Sequence, residues 1–409
     1  MAKPSQASVK DWSTKSFETR AVHAGERLPS PQAAPVTSPI WPAVSYAYEN
    51  MDEADAALGG TTAGPVYLRY GSPTVTAFET VIAALEGTQA AQATSSGMAA
   101  IHACLLAAGA KAGASVVAAM DVYGATYSLL GKLLATMGVK TRWVDVVNLQ
   151  EVRTALKETH ATILLAETIS NPLLKVADVP ALAEMAHQAG AALLVDNTFA
   201  SPFLFAPAAC GTDYVIHSAT KYLSGHGDVL AGVSAVSAEN KKKLYELNKL
   251  VGGVLGPFEA WLALRGLKTL PLRMRQQCAN AQKVAEWLQA HPRIAKVNYP
   301  GLGNHAQHDL AKRLFEGKGF GGVLSFEIAG ADKAGVFRFM EALNLCLPAT
   351  SLGDIYSLVL YPTISSHRSL TPEERLRVGI PDNLLRLSVG IEAVDDILAD
   401  LEGALAKIV

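Results

Sequence analysis

Residues 213–228 read DYVIHSATKYLSGHGD, and the organisation of the chain turns on them. Tyr214 to Ile216 form a short apolar run with the composition of a buried strand. The run closes in small polar residues, Ser218, Ala219 and Thr220. Lys221 follows, with Gly225 and Gly227 behind it. A lysine ammonium ordinarily loses its proton near pH ~10.4. Burial or a neighbouring cation lowers that value and frees the amine for Schiff-base chemistry. Ser218 and Thr220 flank the amine with hydroxyls of the kind that bind phosphate. A lysine imine and a phosphate cradle together hold pyridoxal phosphate (PLP). A surface lysine in a Gly-rich turn is the plain alternative for this stretch taken alone.

Upstream of it, from 114 to 237, apolar runs alternate with helical patterns. ASVVAAM, TRWVDVV, TILLAET, ALLVDNT, YVIHS and VLAGVSAV are separated mostly by stretches such as LQEVRTALKE and VPALAEMAHQAG. Continuous apolar strands alternating with helices predict an α/β fold with a largely parallel sheet buried on both faces. Ligands in such folds bind at the carboxyl ends of the strands. The polar residues that fall there are Asp121 and Tyr123, Glu167 and Asn171, Asp196, and Ser218 to Lys221.

Asp196 ends the strand pattern LLVDNT, where a buried carboxylate needs a partner. A protonated pyridine nitrogen is such a partner, and the pair keeps the ring electron-accepting. A carboxylate capping the following turn is the other reading. Tyr123 suits a ring stacked on the pyridine face, with a hydroxyl able to exchange protons with a leaving group; a core tyrosine is its ordinary alternative. Residues 75–87 read as a helix, Ala90 to Thr94 as a short strand, and Met98 to Leu106 as an Ala-rich helix. The turn Ser95-Ser96-Gly97 before that helix offers free N–H groups to a phosphate, with Gly97 permitting close approach.

SATKYLSGHGDVLAG resembles the cofactor-lysine segment of the Cys/Met-metabolism (trans-sulfuration) PLP enzymes. That family includes cystathionine γ-synthase, cystathionine γ-lyase, methionine γ-lyase and the O-acylhomoserine sulfhydrylases. The resemblance runs from about Tyr67 to the C-terminus. It implies PLP-dependent transferase fold type I, aspartate-aminotransferase-like, with a mostly parallel seven-stranded type of central sheet and a smaller C-terminal α/β domain. It also implies Lys221 and Tyr123 as catalytic residues. Gly97, Met98, Asn171, Asp196, Ser218 and Thr220 are then expected at the cofactor. PVYLRYGSPT at 65–74 is similar to the segment whose tyrosine and arginine, here Tyr67 and Arg69, reach the cofactor phosphate of a neighbouring subunit. TSLGDIYSLVLYP resembles the segment lining the substrate pocket, and LLRLSVGIE the one whose arginine binds the substrate α-carboxylate. Tyr67, Asn171, Thr350, Ser351 and Arg386 are accordingly expected at an amino-acid substrate. Arg386, after two leucines and before an alternating strand, needs an anionic partner in any case. By resemblance the assembly is a homotetramer, a dimer of dimers with shared sites.

The bulk numbers set limits around this reading. The chain has 409 residues, 35 lysines and arginines against 37 acids, and a formal net charge of -2. A near-neutral chain without basic runs carries no nucleic-acid footprint. No apolar run approaches the roughly 18 residues that span a bilayer, so no membrane partner is expected. The cysteines Cys104, Cys210, Cys278 and Cys346 lie far apart, without a CxxC pair, which fits a reducing cytoplasm and no zinc. The N-terminus has Lys3, Lys10 and Lys15 but no apolar core of a secretory signal. Residues 1–64, rich in Pro, Ser, Thr and Ala, are expected to form an arm on a neighbouring subunit, because Ile40, Trp41, Tyr46 and Tyr48 are too apolar for a solvated tail. Residues 65–271 are expected to form the large cofactor-binding domain and 272–409 the small domain. GLGNHA at 301–306 matches a dinucleotide-type glycine pattern, but no acid on a second strand completes it. His305 and His308 have ligand-like spacing without a third ligand.

The expected reaction is γ-elimination or γ-replacement on a sulfur-containing or O-acylated amino acid, of the cystathionine γ-synthase or γ-lyase type. Methionine γ-lyase and O-acylhomoserine sulfhydrylase follow. Relatives acting on cystathionine often have a glutamate where Thr350 stands, and methionine γ-lyases have a cysteine where Ala125 stands. SLGD at 351–354 and TPEER at 371–375 nevertheless match the lyase pattern. A nicotinamide dehydrogenase, or a scaffold with a decayed site, are the readings from other classes.

Overall fold

A computed structural model describes residues 12–26, 35–62, 64–366, 368 and 371–408. Lys3, Lys10, Pro29 and Pro31 of the expected arm lie outside the described residues. The large sheet has seven strands: β1 (Ala90–Thr94), β2 (Ser115–Ala119), β3 (Lys140–Val144), β4 (Ile163–Glu167), β5 (Ala192–Asp196), β6 (Tyr214–Ser218) and β7 (Gly232–Val236). Their order is β1-β7-β6-β5-β4-β2-β3, and β7 alone runs against the others. Every residue of β4, ILLAE, is buried, as the unbroken apolar run predicts for a strand covered on both faces.

The helices carry recognisable boundaries. The helix Pro73–Glu86 begins with Ser72, whose hydroxyl oxygen accepts from the Val75 N–H at 3.2 Å, and with proline at its first position. It ends at Gly87, which adopts a left-handed φ of 73°. Phe78, Val81, Ile82 and Leu85 face the core, so a single stripe fastens this helix to the sheet.

A second sheet has five strands in the order β10-β11-β12-β9-β8: β8 (Ile294–Asn298), β9 (Val323–Ile328), β10 (Leu347–Pro348), β11 (Leu358–Leu360) and β12 (Leu384–Ser388). β10 and β11 were not legible as strands because they are only two and three residues long. The long helix Leu270–Ala290 joins the two halves. Leu270, Met274 and Cys278 belong to the large core, whereas Ala281, Val284, Ala285 and Leu288 belong to the second. The two cores meet along this helix, and Pro271, which reads as a break before a long helix, stands in its first turn.

The expected arm divides as well. Residues 16–26 pack on their own chain. Ala21 and Ala24 are fully buried, and Phe17 meets Phe203 edge-on at 5.8 Å. Glu18 pairs with Arg275, and Glu26 with Lys268. Apolar periodicity in a short helix is enough to seat it locally, and the Pro-rich surroundings hid that signal. Val36, Trp41, Val44 and Met51 stay exposed. Among the described residues no helix is long and apolar enough to cross a membrane.

All parallel strands deliver their carboxyl ends to one edge of the large sheet, and that edge is crowded at Gly232. This residue lies between Thr94 and Ser218 in the ladder, and an added Cβ would fall 2.1 Å from the Ser96 carbonyl oxygen. Overpacking of this kind costs about 1–3 kcal/mol. Gly232→Ala is expected to lower the thermal unfolding midpoint measured by calorimetry and to weaken cofactor retention. A variant that melts and retains cofactor like the wild type would contradict the packing described.

Candidate active site

Lys221 sits in the turn that follows β6, and its ammonium donates to the Ser351 hydroxyl oxygen at 3.2 Å. Burial, and then the Arg386 cation, hold its pKa below the ordinary lysine value, against an opposing pull from Asp354. This is the direction that frees the amine for imine chemistry. Arg386, in the middle of β12, is only 2% exposed. Its Nη1 donates to Asn171 Oδ1 at 3.1 Å and its Nη2 to the Ser351 carbonyl at 2.8 Å. Its Nε is buried without a partner, and burial brings its pKa down to about 10. A guanidinium at that value is still charged at neutral pH, and no carboxylate among the described residues pairs with it. Its neutral partners orient the fork and leave the charge for an anion.

The cavity walls on the sheet side come from the strand ends. Glu167 and Asp196 are neighbours in the β4–β5 ladder. Asp196 Oδ1 accepts from the Thr198 N–H at 2.9 Å and from the Thr198 hydroxyl at 2.5 Å, which leaves Oδ2 for another donor. Burial raises the Asp196 pKa, while the Thr198 bonds oppose the shift. Burial first, then Asp196, push Glu167 well above the usual carboxyl range. Its Oε1 accepts from the Tyr123 N–H at 2.6 Å. Of two adjacent carboxyls, Asp196 is thus the one suited to hold a cation. Tyr123 lines the cavity with its ring half exposed. Asp121, expected at the strand ends, lies outside it and faces the Lys175 ammonium at 3.8 Å.

The opposite end of the cavity is built for an anion. The helix Gly97–Ala107 starts here, capped by Ser96, whose hydroxyl oxygen accepts from the Ala99 N–H at 3.1 Å. The preceding N–H groups of Gly97 and Met98 belong to the unsatisfied first turn. Gly97 lies flush on β6: a Cβ there would come 2.8 Å from Ser218 Cβ. Ser218 and Thr220 line the same end. The expectation that both hydroxyls face a phosphate needs refinement. Thr220 Oγ1 accepts from the Ala231 N–H at 3.0 Å and donates to the Ala231 carbonyl at 3.2 Å, so its proton is committed to the backbone. The Ser218 hydroxyl has no such bond among the described residues. Helix end, serine hydroxyl, strand-end carboxylate and lysine fit the phosphate, ring nitrogen and aldehyde of PLP in that order.

Thr350 lines the cavity with Leu352, Phe199 and Ile169, residues that motif reading passed over. Thr198, Glu167 and Asp354 escaped role assignment for the same reason: their signal is burial, not a motif. A roomier cleft of about 590 Å³ lies between Leu173–Lys175 and residues 294–298 and 304–307, but its charged walls are surface lysines. His305 sits in that cleft, while His308 Nδ1 faces the Pro300 carbonyl at 2.8 Å. Tyr67 and Arg69 lie away from the cavity of their own chain. The Arg69 guanidinium reaches the Lys249 carbonyl and lies 5.5 and 5.0 Å from the ring centres of Tyr67 and Tyr70.

Comparison with known proteins follows the same line. The family described as Cys/Met metabolism PLP-dependent enzyme matches residues 18–406. L-methionine gamma-lyase of Fusobacterium nucleatum subsp. polymorphum is 42% identical over 95% of this chain and 98% of its own. Cystathionine beta-lyase of Lactococcus lactis subsp. cremoris is 42% identical over 96% and 99%. The crystal structure of cystathionine gamma synthase from Xanthomonas oryzae pv. oryzae, in complex with aminoacrylate and cysteine, superposes with a TM-score of 0.90 at 36% identity, covering 96% of this chain and 98% of that one.

If Tyr67 and Arg69 complete the cavity of a neighbouring subunit, the two lesions Arg69→Ala and Lys221→Ala complement each other. Each homomeric variant is expected to be inactive. Subunit exchange should restore activity, because a hybrid dimer carries both lesions in one site and leaves the other intact. Absence of recovery, with exchange verified by mass, would place both residues outside any shared site.

Proposed function

We propose, on the premise that this chain belongs to the Cys/Met-metabolism PLP-dependent enzymes, that it catalyses γ-elimination or γ-replacement on a sulfur-containing or O-acylated amino acid, of the cystathionine γ-synthase or cystathionine γ-lyase type. What carries this reading is the Arg386 guanidinium, buried without a carboxylate partner among the described residues and facing the cavity of Lys221. An α-amino acid matches that arrangement, with its carboxylate on the arginine fork and its amine toward the lysine side.

Bound PLP supplies the electron sink that makes the hydrogens on the substrate's Cα and Cβ acidic. Lys221, Asp196, Ser218 and the Gly97–Met98 N–H groups would hold it, with Tyr67 and Arg69 added from a neighbour. Lys221 Nζ is the base that takes and returns substrate protons, and Ser351 Oγ fixes its direction. Asn171 and the Ser351 carbonyl orient Arg386, so the reacting carbons are presented to the same amine. On this reading the Tyr123 hydroxyl gives a proton to the departing γ-substituent, which its place in the cavity wall supports. Ile169, Phe199 and Leu352 add apolar surface to the same cavity. The same reading makes the active unit a dimer and the assembly a dimer of dimers. The unpaired cysteines suit a reducing cytoplasm.

Thr350 supports a second reading, methionine γ-lyase or O-acylhomoserine sulfhydrylase. It is neutral, and it offers no ion pair to the distal ammonium of cystathionine.

The holoenzyme should be incubated with cystathionine, with methionine, and with O-acetyl- or O-succinylhomoserine plus sulfide. More than one substrate is expected to react, each at its γ-carbon, with 2-oxobutanoate marking elimination. Pyruvate and homocysteine from cystathionine would move the chemistry to the β-carbon and overturn the proposal. Thr350→Glu is expected to shift the kcat/KM ratio of cystathionine to methionine up by about fivefold, the scale of a partly exposed ion pair. An unchanged ratio in a PLP-loaded variant would remove Thr350 from the distal pocket.

A further inference from the structure

We propose that Thr198 is a positioning residue for the cofactor ring: its hydroxyl ties the carboxylate of Asp196, which meets the ring nitrogen, to the end of the strand that leads into Lys221. The proposal rests on the reading in which Asp196 and Lys221 hold PLP. Asp196 ends β5 opposite Ile216 of β6. The Asn197 N–H still donates to the Ile216 carbonyl at 2.8 Å. The next N–H that β6 turns toward β5 belongs to Ser218, and it donates to the Thr198 hydroxyl oxygen at 2.8 Å instead of to a carbonyl. A side chain therefore closes the ladder where the cavity begins. Thr198 is 9% exposed, and its branched side chain has little rotamer freedom.

A hydroxyl has one proton to give. Thr198 Oγ1 accepts from Ser218, so that proton goes to Asp196, whose Oδ1 lies 2.5 Å away. The Thr198 N–H reaches the same oxygen at 2.9 Å. Two donors converge on Oδ1, which leaves no place there for a carboxyl proton. Such a proton can sit only on Oδ2 or on the group that Oδ2 faces. Oδ2 has no hydrogen bond among the described residues, and Asp196 lines the cavity. Against a pyridine nitrogen the choice is between a neutral acid and an ion pair. Both Thr198 bonds stabilise the carboxylate and so move the proton to the ring.

The titratable groups that face Asp196 come from several elements. Glu167, beside it on β4, is held well above the usual carboxyl range, first by burial. Cys104, on the helix Gly97–Ala107, is pushed up to about 12 by burial and stays a neutral thiol. His217 on β6 favours the carboxylate form of Asp196, and its own Nε2 lies 2.6 Å from Glu86 Oε1. Tyr123, Lys221 and Arg386 stand around the same cavity. Burial works against the Asp196 carboxylate, and Thr198 is foremost among the groups that oppose it. Among the described residues, Thr198 is also the one that donates hydrogen bonds to that carboxylate.

The test is a pH titration of the visible absorbance of the PLP-loaded enzyme without substrate, which reports the proton on the nitrogen joining Lys221 to the cofactor. A positive charge on the ring nitrogen, which is conjugated with that group, opposes the proton. Thr198→Val keeps the shape and removes the hydroxyl, so the ring is protonated less often and the midpoint rises. The expected rise is about half a pH unit, threefold in the proton equilibrium. Thr198→Ser should return it toward wild type. In turnover the valine variant should lose about tenfold in kcat with KM within about twofold, because the ring charge acts on the transition state and not on substrate binding. Asp196→Asn should raise the midpoint as well, and adding Thr198→Val to it should shift it no further. Thr198→Ala serves if the valine variant does not fold. A wild-type midpoint in a folded, hydroxyl-free variant, with the Asp196→Asn shift present, overturns the proposal alone. So does failure of both hydroxyl-free variants to fold, which would assign Thr198 to structure. A wild-type midpoint in Asp196→Asn would instead sink the reading of Asp196 as the partner of the ring nitrogen, and the proposal with it.

Discussion

Two cations, Lys221 and Arg386, share one buried cavity, and the surrounding structure is arranged around that fact. Burying a charge without a partner costs several kcal/mol. The lysine answers by holding its pKa down, which turns the cost into a more reactive amine. The arginine has no such recourse, because about 10 is still far above neutrality. It is stabilised by two neutral acceptors, Asn171 Oδ1 and the Ser351 carbonyl, that fix its plane but leave its charge. A site of this kind selects anionic ligands before any further contact is made. An amino-acid carboxylate suits the arginine, while a phosphate suits the helix start at Gly97 at the other end of the cavity.

Rigidity beneath the lysine is the second requirement. Arg273 is buried below the turn and donates to the carbonyls of Tyr222 at 2.8 Å and Gly266 at 2.9 Å. Gly225 permits this approach, since any Cβ there would strike the guanidinium. On the other face of the large sheet, Glu86 Oε1 lies 2.6 Å from His217 Nε2 and accepts from the Asn197 amide at 3.2 Å. Asn197 also accepts from the Thr168 hydroxyl at 2.7 Å. This polar layer ties β4, β5 and β6 together directly behind the residues that face the cavity. A site held within a fraction of an ångström needs such support.

The sheet was legible because a strand covered on both faces leaves an unbroken apolar run, as ILLAE and ALLVD do. The lysine, Asp196 and Gly97 were legible because each stands where an apolar run meets polar residues, and Arg386 because a charge inside the apolar strand LLRLS calls for a partner. The seating of residues 16–26 was not, since one short amphipathic turn among prolines carries little pattern. Nor were Arg273 and the Glu86–His217 pair, because their roles follow from burial across long sequence separations, which no local spacing encodes. The Thr220 hydroxyl read as a phosphate contact from its neighbourhood alone; its bond to Ala231 depends on how β7 returns beside β6. Tyr67 and Arg69 mark a further boundary of legibility, for their proposed partner belongs to another subunit.

The account stands on Lys221 as the residue that carries the cofactor. Borohydride reduction of the PLP-loaded enzyme, followed by peptide mapping, tests it directly. The account predicts one pyridoxyl modification, on the peptide containing SATKYLSGHGD, at Lys221. A modification on another lysine, or none in an enzyme that turns over substrate, would contradict it.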